Sequence, residues 1–432
     1  MQSRTLVSFA APFLVLSAAV LVNDQPVSTW WPVAYALQRV GDPRAAPALT
    51  ALVATPGRFT ASFAVKGLGS SKATQAAATL RQIVEQRQLP PPVVIQAVRS
   101  LSAIRDSGSV PMLTKIVSDS ASDPTLRLEA MTAFAALVTR EHVELLLDQV
   151  SHSVPGIRGS ALQALARVDP DTFLTALASL DADRDWTVRV AVANALGTLP
   201  SAQSLPRLTV MLQDSDQKVI PAVLSALASS KATGVERVLL DRLGSQDLSV
   251  RAAAANALAD LKITAAVQPL TEAYRRAASE DSYTARAAAI GALARLDPAA
   301  ARPVLLEALK DRDWAVRVRA LALLKEQKVT DQDGVVRPAT AGRSVNDPQW
   351  QAMVSPPFSP HAFIDTDKGT IELELAVIDA PLTSANFIAL ARKGFFSNIA
   401  IHRLVPDFVV HGADPRGDGE GGPGYTIPHE LT

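Results

Sequence analysis

The residues best suited to chemistry lie near the end of this chain of 432 residues: His402, Arg403, Phe408, Val409, His411, Gly412 and Asp414, then glycines from Gly417 to Gly424. The types close off several kinds of site. His402, His411 and His429 with Asp414 match no zinc-ligand spacing, so no metal is expected. The glycine run lacks the lysine and hydroxyl residue of a phosphate loop. No G-x-S-x-G elbow is present, and the chain has no cysteine, which excludes thiol nucleophiles and disulfides. Arg403 carries a permanent charge among apolar neighbours.

The segment Ile401-His402-Arg403-Leu404-Val405-Pro406-Asp407-Phe408-Val409-Val410-His411-Gly412-Ala413-Asp414-Pro415, with its glycine-rich continuation, resembles the active-site stretch of cyclophilin-type peptidyl-prolyl isomerases. Their pattern is roughly F-H-R-x-x-P-x-F-x-x-Q-G-G-D-P followed by a G-x-G-G-x-G run. The likeness extends upstream through Phe363 to Phe396 and ends at Glu430. It implies a closed antiparallel barrel capped by helices, of which this chain carries the N-terminal part. It also implies a catalytic set of Arg403, Phe408 and His411, with His402, Val409 and Gly412 on the substrate side. His402 also reads as a structural residue.

The chemistry such a site performs is rotation about an X-Pro bond, opposed by a barrier of ~20 kcal/mol. Twisting the amide frees the nitrogen lone pair, and a fixed donor there lowers the barrier. The resemblance gives that role to Arg403 and makes Phe408 a wall of the proline pocket. Two departures stand out. His411 occupies the family's usual glutamine, and Ala413 its second glycine. The family's remaining pocket wall lies in a second half not contained here, so the chain as given is expected to be inactive or nearly so.

Elements able to hold these residues precede them. Ile371, Leu373 and Leu375 alternate with Glu372 and Glu374, and Asp367-Lys368-Gly369 has turn chemistry, so Phe363 to Leu375 reads as a hairpin with one buried face. Thr383 is a candidate N-cap and Gly394 a candidate stop for a helix with Phe387, Leu390 and Ala391 on its apolar face.

The first three quarters of the chain repeat. Leu37, Leu68, Leu101, Phe134, Leu165, Leu196, Leu227, Leu258, Leu293 and Leu324 recur every 31 to 35 residues. Arg127, Arg158, Arg189, Arg251, Arg286 and Arg317 stand seven residues before their anchors, and Asp123, Asp185, Asp247 and Asp313 four residues earlier still. In one unit Val188, Ala191, Val192, Ala195, Leu196 and Leu199 form one helical stripe, and Leu205, Leu208, Met211 and Leu212 form that of the next helix. Each unit is a helical hairpin that buries its stripe only by stacking on its neighbours. The pattern resembles HEAT repeats of the short bacterial type, forming an α-solenoid. The arginines and aspartates read as an internal ion-pair ladder, the alternative being a charged groove for a partner.

The expected division is a solenoid over 1–328, an irregular linker over 329–361 containing Trp350 and Phe358, and the isomerase-like part over 362–432. Leu6 to Val22 is almost wholly apolar and in phase with the first helix of the first repeat, a signal peptide being the alternative. Seventeen apolar residues are marginal for crossing a bilayer, so no membrane span is expected. The compartment stays open: cell envelope if a signal is present, otherwise cytoplasm. Lys plus Arg equals Asp plus Glu, which speaks against nucleic acid as a partner. The expected partners are proline-containing polypeptide clients and proteins bound along the array.

Overall fold

The computed structural model describes residues 20–22, 25–55, 57–280, 282–329, 360–405, 409–425, 427 and 430. Two compact units are present, 1–149 with 405–408, and 150–404 with 409–432.

Helical hairpins fill both units up to the helix Trp314–Glu326. Leu68, Leu101 and Phe134 in the first unit are fully buried, as are Leu165, Leu196, Leu227, Leu258, Leu293 and Leu324 in the second. The period of 31 to 35 residues is thus the step of the core from one hairpin to the next. In the helix Trp186–Leu196 all of Val188, Ala191, Val192, Ala195 and Leu196 are buried, with Leu199 just beyond it. Leu37 is only half-buried, and Trp30, Trp31 and Tyr35 at the first helix, Trp31–Val40, are exposed.

The arginines form the internal ladder. Arg158 meets Asp183 with Nε and Nη2, both at 2.7 Å, and Arg189 meets Asp214 at 2.7 and 2.9 Å. Arg286 and Asp311 repeat the pairing at 3.1 and 3.3 Å, with the arginine wholly buried. Arg251 pairs with Glu280 instead. The remaining Nη1 of Arg158, Arg189 and Arg286 donates to carbonyls of the turn before its own helix, for Arg189 those of Asp183 and Arg184. Each guanidinium therefore ties its own turn to the next repeat, which satisfies otherwise orphaned carbonyls. The aspartates four residues before the arginines play another part. Asp123, Asp185, Asp247 and Asp313 accept from the first amides of their helices as N-caps.

Three short sheets complete the described structure. β1 (Val20–Val22) pairs with β2 (Gln25–Val27) in antiparallel register. Strand here replaces the end of the helix expected over Leu6 to Val22, in keeping with the β-branched residues Val20, Val22 and Val27; residues 6–19 lie outside the described residues. The linker residues 330–359, with Trp350 and Phe358, also lie outside them. β3 (His361–Thr366) and β4 (Gly369–Glu374) form the expected hairpin, with Phe363 opposite Glu372 and Ile364 opposite Ile371. The buried face expected of it is not found: Phe363, Ile364, Ile371 and Leu373 are all exposed. Two strands have no second layer of their own, and none of the described residues covers this pair. β5 (Arg403–Val405) and β6 (Val409–His411) form the third sheet. No helix among the described residues is long and apolar enough to cross a membrane.

Candidate functional site

The helix Pro381–Arg392 lies between the hairpin and the candidate site. Its C-terminal end matches expectation: Gly394 has φ +71°, and Phe395 N–H donates back to Leu390 O at 3.0 Å. Leu390 is buried and Phe387 stacks on Phe396 with ring centroids 5.0 Å apart, whereas Ala391 is exposed. Thr383 is not the N-cap. Ala380 holds that position without a side-chain bond, and the cap is a carboxylate from far along the chain. Glu430 accepts from Leu382 N–H at 2.6 Å, Thr383 N–H at 2.7 Å and Thr383 Oγ1 at 2.7 Å. Burial works against its charge, yet these three donors hold the Glu430 carboxyl below its ordinary range.

Next come the residues of the site. His402 precedes β5 and its N–H donates to the carbonyl of His411 at 3.1 Å. That bond sets the two imidazoles side by side, ring centroids 4.8 Å apart and planes inclined by 47°. Both ring nitrogens of His402 are buried without a hydrogen-bond partner among the described residues. Arg403 opens β5 and is exposed, with no ion pair to any described residue. Val409 is half-buried and His411 exposed. Gly412 packs closely on Ile401, whose Cγ1 is 3.4 Å from where a Cβ would stand. Phe408 lies outside the described residues. The structure therefore brings His402 and His411 together and leaves Arg403, next in the chain, with no ion pair to any described residue. A permanently charged guanidinium can donate to an amide nitrogen or carbonyl presented to it.

Asp414 organises the glycine-rich stretch that follows. Its buried carboxylate accepts the N–H groups of Arg416, Asp418 and Gly419 at 2.8, 2.9 and 2.5 Å. Burial opposes the Asp414 charge, but the amides outweigh it and lower the pKa. Gly421 lies so close that a Cβ there would be 1.8 Å from Asp414 Oδ1. Ala413, in place of the glycine the resemblance would put there, has φ +65°, a conformation that suits glycine. Tyr425 OH donates to Asn386 Oδ1 at 2.6 Å, tying the stretch back to the helix. Among the described residues no cluster of three or more His, Asp or Glu side chains is placed to hold a metal ion.

Three groups escaped the sequence reading: Glu430 as cap, Asp414 as loop centre, and Arg416, treated below. The D-P-x-G-x-G wording around Asp414 signals a turn, since aspartate readily bonds to nearby amides. Nothing in the sequence links Glu430 to Thr383, 47 residues away.

Comparison with known proteins finds two families along the chain. Residues 361–431 match the cyclophilin type peptidyl-prolyl cis-trans isomerase family, and 118–197, 175–234 and 211–285 match HEAT repeats. A peptidyl-prolyl cis-trans isomerase of Synechococcus elongatus is 47% identical over 70 residues, which is 16% of this chain and 48% of that protein. Peptidyl-prolyl cis-trans isomerase B of Bacillus subtilis is 48% identical over 69 residues, again 16% and 48%. The chain thus spans just under half the length of these curated relatives. Among solved structures, the complex of CpcE and CpcF of phycocyanin lyase from Nostoc is similar at 19% identity and a TM-score of 0.35, over 57% of this chain and 94% of that one.

Proposed function

We propose, for a chain that joins HEAT repeats to part of a cyclophilin-type isomerase domain, that the array over 1–328 is a protein-binding scaffold. The unit over 362–432, joined to it through 329–361, acts on X-Pro bonds of proline-containing clients. The observation that carries the reading is Arg403, exposed and without an ion pair to any described residue beside the His402–His411 pair. Arg403 donates toward the amide nitrogen as it pyramidalises, and Phe408 walls the proline ring. Val409, Gly412 and His402 shape the substrate side. Binding energy must act on the twisted amide, which requires a complete pocket. The chain spans just under half of its relatives' length.

A second reading is a scaffold whose C-terminal unit docks proline-containing segments without catalysis. His411 favours it, since the donor and acceptor of an imidazole sit on a rigid ring and do not superpose on those of a glutamine amide. A protease-coupled isomerisation assay separates the two. The chain is measured as it stands and after fusion to the remaining half of the Bacillus subtilis relative. Activity that rises on completion and falls in Arg403→Ala supports the enzyme. A completed domain that binds a proline peptide without accelerating its isomerisation supports the docking unit.

A further inference from the structure

Between Arg158 and Arg286 the ladder has one missing rung. Arg189 is followed 31 residues on by Ile220, and 31 further by Arg251; Asp214 is followed 31 residues on by Ser245. Where Arg158, Arg189, Arg251 and Arg286 each meet a carboxylate, this repeat has isoleucine and serine. At this place a cation arrives from elsewhere in the chain. Arg416, in the glycine-rich loop, forms an ion pair through Nη1 with Asp247, two residues beyond Ser245. Lys218, two residues before Ile220, donates from Nζ to the Arg416 carbonyl at 3.3 Å.

Both sides of this contact are preorganised. Asp247 Oδ1 is held by Ser249 N–H and Val250 N–H at 2.9 and 3.1 Å, which leaves Oδ2 for Arg416. Lys218 lies over the Trp186 ring, 4.4 Å from its centroid. On the loop, Asp418 accepts from Arg416 Nε at 3.0 Å and Nη2 at 2.8 Å, so the fork is already aimed. Asp414 fixes the backbone around it. Little side-chain freedom is then lost on docking, the condition under which a small polar contact holds.

We infer that the surface formed by Trp186, Lys218 and Asp247 at the missing rung is the docking site for the Arg416 loop, and that it anchors the isomerase-like unit to the HEAT array. The partner that fits this surface is a loop arginine preset by a neighbouring aspartate. The anchorage is independent of whether the unit catalyses.

The test uses the full chain and trypsin, which cuts after Arg416 when the loop is free. Asp247→Asn keeps a good helix cap but removes the charge. Cleavage at Arg416-Gly417, followed by mass spectrometry, is expected to be about tenfold faster or more in this variant. It should also quicken in the parent in 1 M salt. A second measurement uses the absence of native cysteine. Labels at Gln217→Cys and Glu420→Cys, both exposed, should give one narrow short distance in the parent. That distance should broaden in Asp247→Asn and in Arg416→Gln, the second of which leaves the array unaltered. Equal cleavage rates in parent and Asp247→Asn, or the same distance distribution in parent and both variants, would overturn the anchor.

Discussion

Arg189 and Asp214 meet edge to edge across two repeats, and the same carboxylate also takes the N–H of Asp216 at 2.9 Å. One side chain thus closes its own turn and receives the previous repeat. Asp214 is largely buried and Arg189 nearly so. Removing one partner leaves the other desolvated and unpaired. Arg189→Ala should cost about 2–4 kcal/mol in urea unfolding. Arg189→Lys should recover little of it, because an ammonium cannot make the two parallel bonds while still reaching the carbonyls. A lysine variant as stable as the parent would show that charge alone matters here.

The pH dependence follows from four carboxylates. The hydrogen bond from Arg158 lowers the pKa of Asp183. Burial opposes the lowering at Asp214, Asp414 and Glu430, but hydrogen bonds prevail at each. All four have folded values below their unfolded ones, so the unfolded chain binds more protons in acid. The stability they contribute is complete above the ordinary carboxylate range, about 4, and is lost as pH falls through the lower folded values. Thermal melts should be nearly flat from pH 7 to 5 and fall steeply in stronger acid. In Asp183→Asn the parent should lose its advantage at the acid end.

The core anchor Leu196 has no exposed surface. Leu196→Asp places an unpaired charge in the seam and should cost on the order of 3 kcal/mol or more. Circular dichroism with denaturant gives the measurement. Loss below 1 kcal/mol would mean that the seam opens to water.

Two substitutions probe the glycine-rich loop in opposite directions. Gly421→Ala collides with Asp414 at a distance no Cβ tolerates and should release the loop, seen as faster amide exchange over residues 414–421. Ala413→Gly relieves a left-handed alanine and should stabilise the unit by about 0.5–1 kcal/mol, the strain relief being offset in part by glycine's freedom when unfolded.

The core was legible because a period is a local property. An apolar anchor every 31 to 35 residues on a 3.6-residue stripe leaves few other ways to bury the surface, and Leu68 through Leu324 stand where that arithmetic puts them. The ladder was legible as an internal device, but not in its pairing. Sequence proximity pointed to Asp185, which caps its own helix, while Asp183 and Asp214 take the guanidinium groups. The difference is geometric: a residue four positions before the arginine is committed to its own helix amides, and the next turn comes within reach only after stacking. The hairpin His361–Glu374 was legible from its alternation, but its exposure was not, since alternation says which face wants cover and not what covers it. At the candidate site the motif placed His402, Arg403 and His411 along the chain. That the two histidine rings face one another depends on the strand register.

Glu430 gives the C-terminal unit an order of assembly. During synthesis the helix Pro381–Arg392 emerges first, with the amides of Leu382 and Thr383 lacking their carboxylate until residue 430 has left the ribosome. The HEAT hairpins, whose contacts join neighbours, can pack as they are made. The newly made unit is therefore least settled when the HEAT hairpins are already packed.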